Sequence, residues 1–128
     1  MSLDEYKPDH FSHEVHDDVV VVQVAPEKLS EEQNLEEFGV QLFAYVDQYE
    51  CGKLALDCAS VKYASSSAIG KLITLHRKLK RTEGRLVICC LQDAFREILQ
   101  AARLYTYFET TETTEAAVEL LKQEESSS

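Results

Sequence analysis

The chain has 128 residues, 13 basic and 23 acidic side chains, and 45% hydrophobic residues. That length supports one domain with its own core and excludes two ordinary ones. A formal charge of −10 excludes a general binder of nucleic acid or anionic membrane, which needs a basic surface to neutralise phosphates.

The charge is unevenly spread. Residues 1–50 carry 2 basic and 13 acidic side chains, residues 51–108 carry 10 and 4, and residues 109–128 carry 1 and 6. A basic middle inside an acidic protein gives a dipolar field of the kind that orients protein partners. Acidic ends that merely keep the protein soluble account for the same pattern equally well. The longest apolar stretch, residues 19–24, is interrupted by Gln23, too short to span a membrane. The start, Met-Ser-Leu-Asp-Glu, lacks the basic and apolar parts of a secretion signal. Cys51, Cys58, Cys89 and Cys90 show no C-x-x-C spacing, and three lie in apolar runs. They read as reduced, buried thiols, which points to the cytoplasm and gives no metal site.

In chain order, residues 1–10 and 123–128 are polar and expected to be loose, leaving one domain over 11–122. Residues 11–15 and 19–24 read as two strands joined by a turn at His16-Asp17-Asp18. Ser30 with Gln33 forms a capping-box pattern, after which Leu35, Phe38, Leu42, Val46 and Tyr49 recur at helical spacing. Residues 53–58 read as a short buried strand. Ser65-Ser66-Ser67 opens a second helix with Ile69, Leu72, Ile73, His76 and Leu79 on its inner face, and Glu83-Gly84 closes it through a left-handed glycine. Residues 86–91 are continuously apolar, as in a central strand covered on both faces. Asp93 is placed to cap a third helix with Phe95, Ile98, Leu99 and Ala102 inward. Residues 107–110 read as a last strand, and Thr113 or Thr114 caps a closing helix carrying Ala117, Val118 and Leu121. The order β-β-α-β-α-β-α-β-α predicts an α/β fold with a mixed, mostly parallel five-stranded sheet and four helices.

The segment richest in chemistry is Val61-Lys62-Tyr63-Ala64-Ser65-Ser66-Ser67-Ala68-Ile69-Gly70-Lys71-Leu72. Its serines sit between the end of a buried strand and the first turn of a helix, and in an α/β sheet the crevice at the carboxyl ends of the strands is where ligands and partners usually dock. A helix start offers unpaired N–H groups and partial positive charge, so a phosphate on a serine there meets donors instead of unfolding the domain. It still adds about −1.5 to −2 charges to whatever surface a partner must cover. By composition alone, the same serines serve simply as N-caps.

This segment resembles the signature of STAS domains, the anti-sigma factor antagonist family: an aromatic or apolar pair, then Asp-Ser-Ser/Thr-Gly-Leu-Gly opening an amphipathic helix. Laid on it, Ser65 takes the Asp place, Ser66 that of the phosphorylated serine, Ser67 the next hydroxyl, Ala68 the first glycine, and Ile69-Gly70 the Leu-Gly pair. The similarity continues through Leu54-Ala55-Leu56-Asp57, Glu83-Gly84-Arg85-Leu86 and Ala101-Ala102-Arg103-Leu104, in matching element order. Two positions depart from it: Ser65 is not acidic and Ala68 is not glycine. The connection Val24-Ala25-Pro26-Glu27-Lys28-Leu29 also lacks the family's common Gly-x-Leu-Asp.

The resemblance implies a STAS fold with its helices mainly on one face, and a cytoplasmic anti-sigma factor antagonist. The implied partner is an anti-sigma factor that is also a serine kinase; it phosphorylates Ser66 with its own ATP and Mg²⁺, and a phosphatase reverses this. It implies a contact surface at Ser65, Ser66, Ser67, Ile69, Gly70 and Lys71 with the loop at 26–30 nearby. No cofactor is implied, nor direct contact with nucleic acid or membrane. The other reading is a STAS adaptor or scaffold in a signalling or transporter complex, never phosphorylated, which Ser65 in the acidic place favours.

Other residues carry less. Lys71, close to the serines, serves either to contact an acidic partner or to screen a phosphate; Arg77, Lys78, Lys80 and Arg81 complement the helix dipole. His10, His13 and His16 form an H-x-x-H-x-x-H run, but three-residue steps on an extended chain alternate sides, so joint ligation needs a terminus that wraps the ion. His76, on an apolar helix face, reads as a core or half-buried histidine and not as a catalyst. A serine on a strand-to-helix turn suggests a nucleophile elbow, which requires Gly-x-Ser-x-Gly and a later histidine base. Here Ala64 and Ala68 flank the serines, and His76 lies about three turns along the same helix, out of reach. With 4 glycines there is no phosphate-cradling loop either, so the sequence predicts a non-enzymatic domain.

Overall fold

A computed structural model describes residues 3–30 and 35–123 of the chain. The first strands are β1 (Phe11–His16) and β2 (Val19–Val24), an antiparallel hairpin whose turn holds Asp17 at φ 59°. Asp tolerates that left-handed conformation better than most residues because its short side chain bonds locally. The valine-rich β2 runs through the domain interior: Val19 and Val21 point to one face of the sheet, Val20, Val22 and Val24 to the other. Stiff β-branched side chains suit a strand packed on both sides.

The chain continues through β3 (Lys28–Leu29), α1 (Leu35–Asp47), β4 (Lys53–Asp57), β5 (Tyr63–Ala64), α2 (Ser66–Arg81), β6 (Arg85–Cys89), α3 (Asp93–Ala101), β7 (Glu109–Thr111) and α4 (Thr114–Gln123). The main sheet has five strands in the order β1-β2-β4-β6-β7, parallel except for the β1–β2 pair. The expected α/β architecture is therefore observed. A second, two-stranded parallel sheet joins β3 to β5, which the sequence reading did not contain.

Helices α1, α2 and α3 share one core with Leu54, Leu56, Leu86 and Ile88 of the sheet. Leu72, Leu75 and Leu79 form the buried ridge of α2, each burial worth about 1.5–3 kcal/mol. Leu75 takes the central place in that stripe, while Ile73 and His76 lie at its margin, half-buried. On the opposite face α4 sets Ala117 and Leu121 against Val19, Val21, Ala55, Val87 and Cys89. Small residues there let the helix approach closely.

Several local expectations are corrected. The end of α2 uses Glu83 (φ 61°) as its left-handed residue, and no glycine in the described residues has positive φ. Gly84 is needed for space: a Cβ there would lie 2.5 Å from the Gly52 carbonyl oxygen. Asp93 is the first residue inside α3, not its cap; Gln92 holds the cap position without a side-chain bond, and Asp93 pairs with Arg96 at 3.2 Å. At α4 the expectation holds: of the two threonines named, Thr113 is the cap, its Oγ1 accepting the Ala116 amide at 3.0 Å. The last strand begins two residues later than expected, at Glu109, after the buried Phe108. The capping box lies partly outside the described residues, since Gln33 is not among them, and so does most of 123–128.

The segment expected to be loose before β1 lies against α1. The Tyr6 hydroxyl donates to the Gln41 carbonyl at 2.6 Å, and the His10 amide donates to Gln41 Oε1 at 3.0 Å. Tyr6 stacks on Tyr49 with ring centroids 4.9 Å apart. Burial, with Tyr49 beside it, pushes the Tyr6 phenol up to about 12. Among the described residues no helix is long and apolar enough to cross a membrane.

Candidate functional site

The serine segment is positioned by the small sheet. After β4 the chain turns through buried Val61, and β5 zips onto β3: Lys62 and Ser65 donate their amides to Glu27 and Leu29, each at 2.7 Å. Residues 26–30 therefore lie directly beside 62–65, a neighbourhood set by backbone bonds. The segment that enters α2 is held to residues 27–29 by bonds at both of its ends, Lys62 and Ser65, so the direction in which the helix leaves the sheet is defined.

The three serines then divide. Ser65 is the N-cap of α2 in extended conformation (φ −74°, ψ 168°), its Oγ accepting the Ala68 amide at 3.2 Å while its carbonyl accepts the Ile69 amide at 2.9 Å. This is the work an Asp would do at the same place, since Asp and Ser are comparable N-caps. Ser66 and Ser67 occupy the first turn, both exposed, and neither hydroxyl is hydrogen-bonded among the described residues. Their own amides stand at the positive end of the helix without an intrahelical acceptor. No acidic side chain stands in that turn.

Helical spacing decides what accompanies each hydroxyl. Gly70 follows Ser66 by four residues and so lies on the same face. It is exposed, and a Cβ built there would meet nothing within 4 Å. Bare helix backbone therefore adjoins Ser66. Lys71 follows Ser67 by four and shares that face instead. Its side chain lies across α1 at Gly39, where an added Cβ would stand 3.1 Å from both Lys71 Cδ and Nζ. Among the described residues Lys71 forms no ion pair. Tyr63, 46% exposed, stands just ahead of the serines on β5.

One predicted contact residue does not reach this surface. Ile69 is 6% exposed and packs in the core shared by α1, α2 and α3, because it falls on the Leu72–Leu79 side of the helix. Ser66, Ser67 and Gly70 are the exposed members of the predicted set; Ser65 and Lys71 are half-buried.

The other candidates have structural partners. His13 lies between Tyr45, whose hydroxyl is 2.7 Å from Nδ1, and the Leu3 carbonyl, 3.1 Å from Nε2. His10 stands 3.6 Å from Glu37, and His16 stands 3.6 Å from Glu14 on the exposed part of β1. The three histidines thus have three separate surroundings. His76 packs edge-on against Tyr107 and Phe108, at 5.0 and 5.9 Å between centroids, with its Nδ1 buried and unbonded. Burial chiefly, with Lys80, holds its pKa below the usual 6.5, against an opposing pull from Glu109. The four cysteines are free thiols; burial pushes Cys51 up to about 11 and Cys58 and Cys89 higher still.

Comparison with known proteins fits this geometry. Residues 10–117 match the model of the STAS domain, and the chain belongs to that family. A Bordetella bronchiseptica protein, BtrV, whose name assigns it provisionally as an anti-sigma factor antagonist, is 28% identical over 89 residues, 70% of this chain and 76% of its own. A Thermotoga maritima structure, TM1081, with the same provisional assignment, superposes with a TM-score of 0.78 at 20% identity, covering 89% of this chain and 96% of that one. The Bacillus cell fate determinant SpoIIAA in its phosphorylated form gives a TM-score of 0.63 at 19% identity over 85% of this chain and 96% of its own.

Proposed function

We propose that this STAS domain is an anti-sigma factor antagonist whose binding is switched by phosphorylation of Ser66. The observation that carries the reading is the division of labour among the serines: Ser65 caps the helix, leaving the Ser66 hydroxyl exposed at its mouth and without a hydrogen bond among the described residues. A kinase can reach that oxygen without disturbing the fold. Once added, the phosphate meets the first-turn amides and the positive end of the helix, and so is tolerated. Ser65 being neutral, the phosphate faces no carboxylate at the cap. Its added charge instead falls on the surface that a partner closes over, beside the open backbone at Gly70.

In this reading the unphosphorylated domain binds an anti-sigma factor with serine kinase activity, in the cytoplasm, and a phosphatase restores the free hydroxyl. Ser66, Ser67, Gly70 and Lys71 form the contact surface, bordered by Tyr63 and residues 26–30. The names of BtrV, TM1081 and the phosphorylated SpoIIAA support it. The domain acts as ligand and phosphate acceptor, and the catalytic groups belong to the partner.

The test is a comparison of Ser66→Ala and Ser66→Asp in binding to the anti-sigma factor captured from native lysate. Tight binding by the alanine variant and loss by the aspartate variant supports the switch. Equal binding by both overturns it and leaves the adaptor reading, as does intact-mass analysis of protein from its own cells that finds no phosphate on Ser66.

A further inference from the structure

On the α4 side of the sheet, away from the serines, three potential ligand atoms converge. Asp57, the last residue of β4, pairs in register with Cys89, the last residue of β6. Cys90 follows immediately, and in a continuing strand its side chain would point to the opposite face. It does not continue the strand: Cys90 adopts φ 63°, a left-handed conformation that costs a non-glycine residue about 1–2 kcal/mol. The turn brings its thiol back, and one carboxylate oxygen and both sulfurs lie within 4.8 Å of one another.

We propose that Asp57, Cys89 and Cys90 form a binding site for a thiophilic divalent cation of the Zn²⁺ type. Two thiolates and a carboxylate are ligands that suit such an ion, and four-coordinate Zn²⁺ holds S and O ligands about 3.5–4 Å apart. From a largest separation of 4.8 Å, the trio needs to contract by at most about 1.3 Å. Asp57 is already oriented, one carboxylate oxygen accepting the Ala59 amide at 2.9 Å, which is the outer support that metal-bound carboxylates ordinarily have. Asp57 also lines a cleft of about 300 Å³ together with Ser12, Gln23 and Ser60, so solvent reaches this end of β4. No basic side chain forms an ion pair with Asp57 among the described residues, leaving its charge for a cation to neutralise. On binding, the ion displaces the two S–H protons to the buffer.

The ion would tie together the ends of β4 and β6, the central parallel pair of the sheet. Titration of the reduced full-length chain with Cd²⁺, followed by the thiolate-to-metal charge-transfer band, reads sulfur ligation directly; competition with a chromogenic chelator gives the Zn²⁺ affinity. One equivalent with a two-thiolate band is expected. Cys90→Ser should halve the band, and Cys90→Ser and Asp57→Asn should each weaken Zn²⁺ binding more than about tenfold. Cys51→Ser, at the opposite end of β4, should leave both signals unchanged. Circular dichroism of each variant establishes that it is folded, with Asp57→Asn the near-isosteric member. Absence of the band in the unaltered chain, full affinity in Asp57→Asn, or an equal loss in Cys51→Ser overturns the proposal.

Discussion

Tyr45 and His13 join the first helix to the edge strand through one short hydrogen bond, 2.7 Å from hydroxyl to Nδ1. The Leu3 carbonyl can only accept, so His13 gives it the Nε2 proton and uses Nδ1 to accept from Tyr45. Tyr45 is 0% exposed and its ring also meets Tyr6 edge-on at 5.2 Å. The pair therefore fastens the N-terminal segment and α1 to β1. Tyr45→Phe keeps the ring and removes the donor, stranding a half-buried acceptor. A loss of about 1–3 kcal/mol is expected in urea unfolding, with the m-value unchanged. A loss below a few tenths would mean that water replaces the hydroxyl at no cost.

The cap at Ser65 makes a second prediction separable from the switch. Ser65→Ala removes the acceptor for the Ala68 amide and should cost about 0.5–2 kcal/mol, whereas Ser65→Asp should keep the stability within a few tenths. Thermal unfolding of the two variants distinguishes them. If alanine is as stable as serine, the bond to Ala68 contributes nothing, and the account of why an acidic residue is dispensable here fails.

The long helices and the central strands were readable because their signals are repetitive. The period of Leu35, Phe38 and Leu42 in α1, or the valine run of β2, is a statement made several times over. What escaped was carried by single residues or by distant partners. β3 and β5 have two residues each, and their pairing is a long-range event with no local period. Gly84 reads as a left-handed terminator until the Gly52 carbonyl is placed beside it. Ile69 sits in a motif that suggests contact and on a helix face that dictates burial, and the packing of Leu72 and Leu79 decides for burial. Adjacent cysteines in a strand point apart, so the convergence of Cys89 and Cys90 depends on one backbone angle that spacing does not reveal. The serine segment was legible because both its roles, capping and exposure, follow from its place at a helix start.

His76 should make stability depend on pH. Its half-buried ring faces Tyr107 and Phe108, with Lys80 on its own helix and Glu109 on β7, and the balance favours the neutral form. With the folded pKa below the unfolded value of 6.5, the unfolded chain takes up the proton first on acidification, and stability falls as pH drops below about 6.5. Above that value both states are neutral and the residue contributes no pH dependence. His76→Gln removes this component. The difference in melting temperature between the original chain and the variant should therefore shrink as pH is lowered from about 7.5 to about 5.5, roughly a unit either side of the ordinary histidine pKa. A difference that stays constant or widens contradicts the half-buried, neutral assignment.

Two glycines in the second helix and at its exit should respond oppositely to the same change. At Gly84 a methyl group would sit 2.5 Å from the Gly52 carbonyl oxygen and 3.1 Å from Leu79, so backbone must move to admit it. Gly84→Ala should cost about 1–3 kcal/mol, the range for overfilling a packed site. At Gly70 the space is empty and the residue lies inside α2, so Gly70→Ala should raise stability by about 0.5–1 kcal/mol. Gly70→Arg should likewise fold, because the side chain projects into solvent, but it covers the bare backbone beside Ser66. Its melting temperature should match or exceed that of the original chain while its binding to the proposed anti-sigma partner falls at least tenfold, a change of about 1.4 kcal/mol. Undiminished binding by a folded Gly70→Arg chain would place the partner's footprint elsewhere, even if Ser66 proved to be phosphorylated.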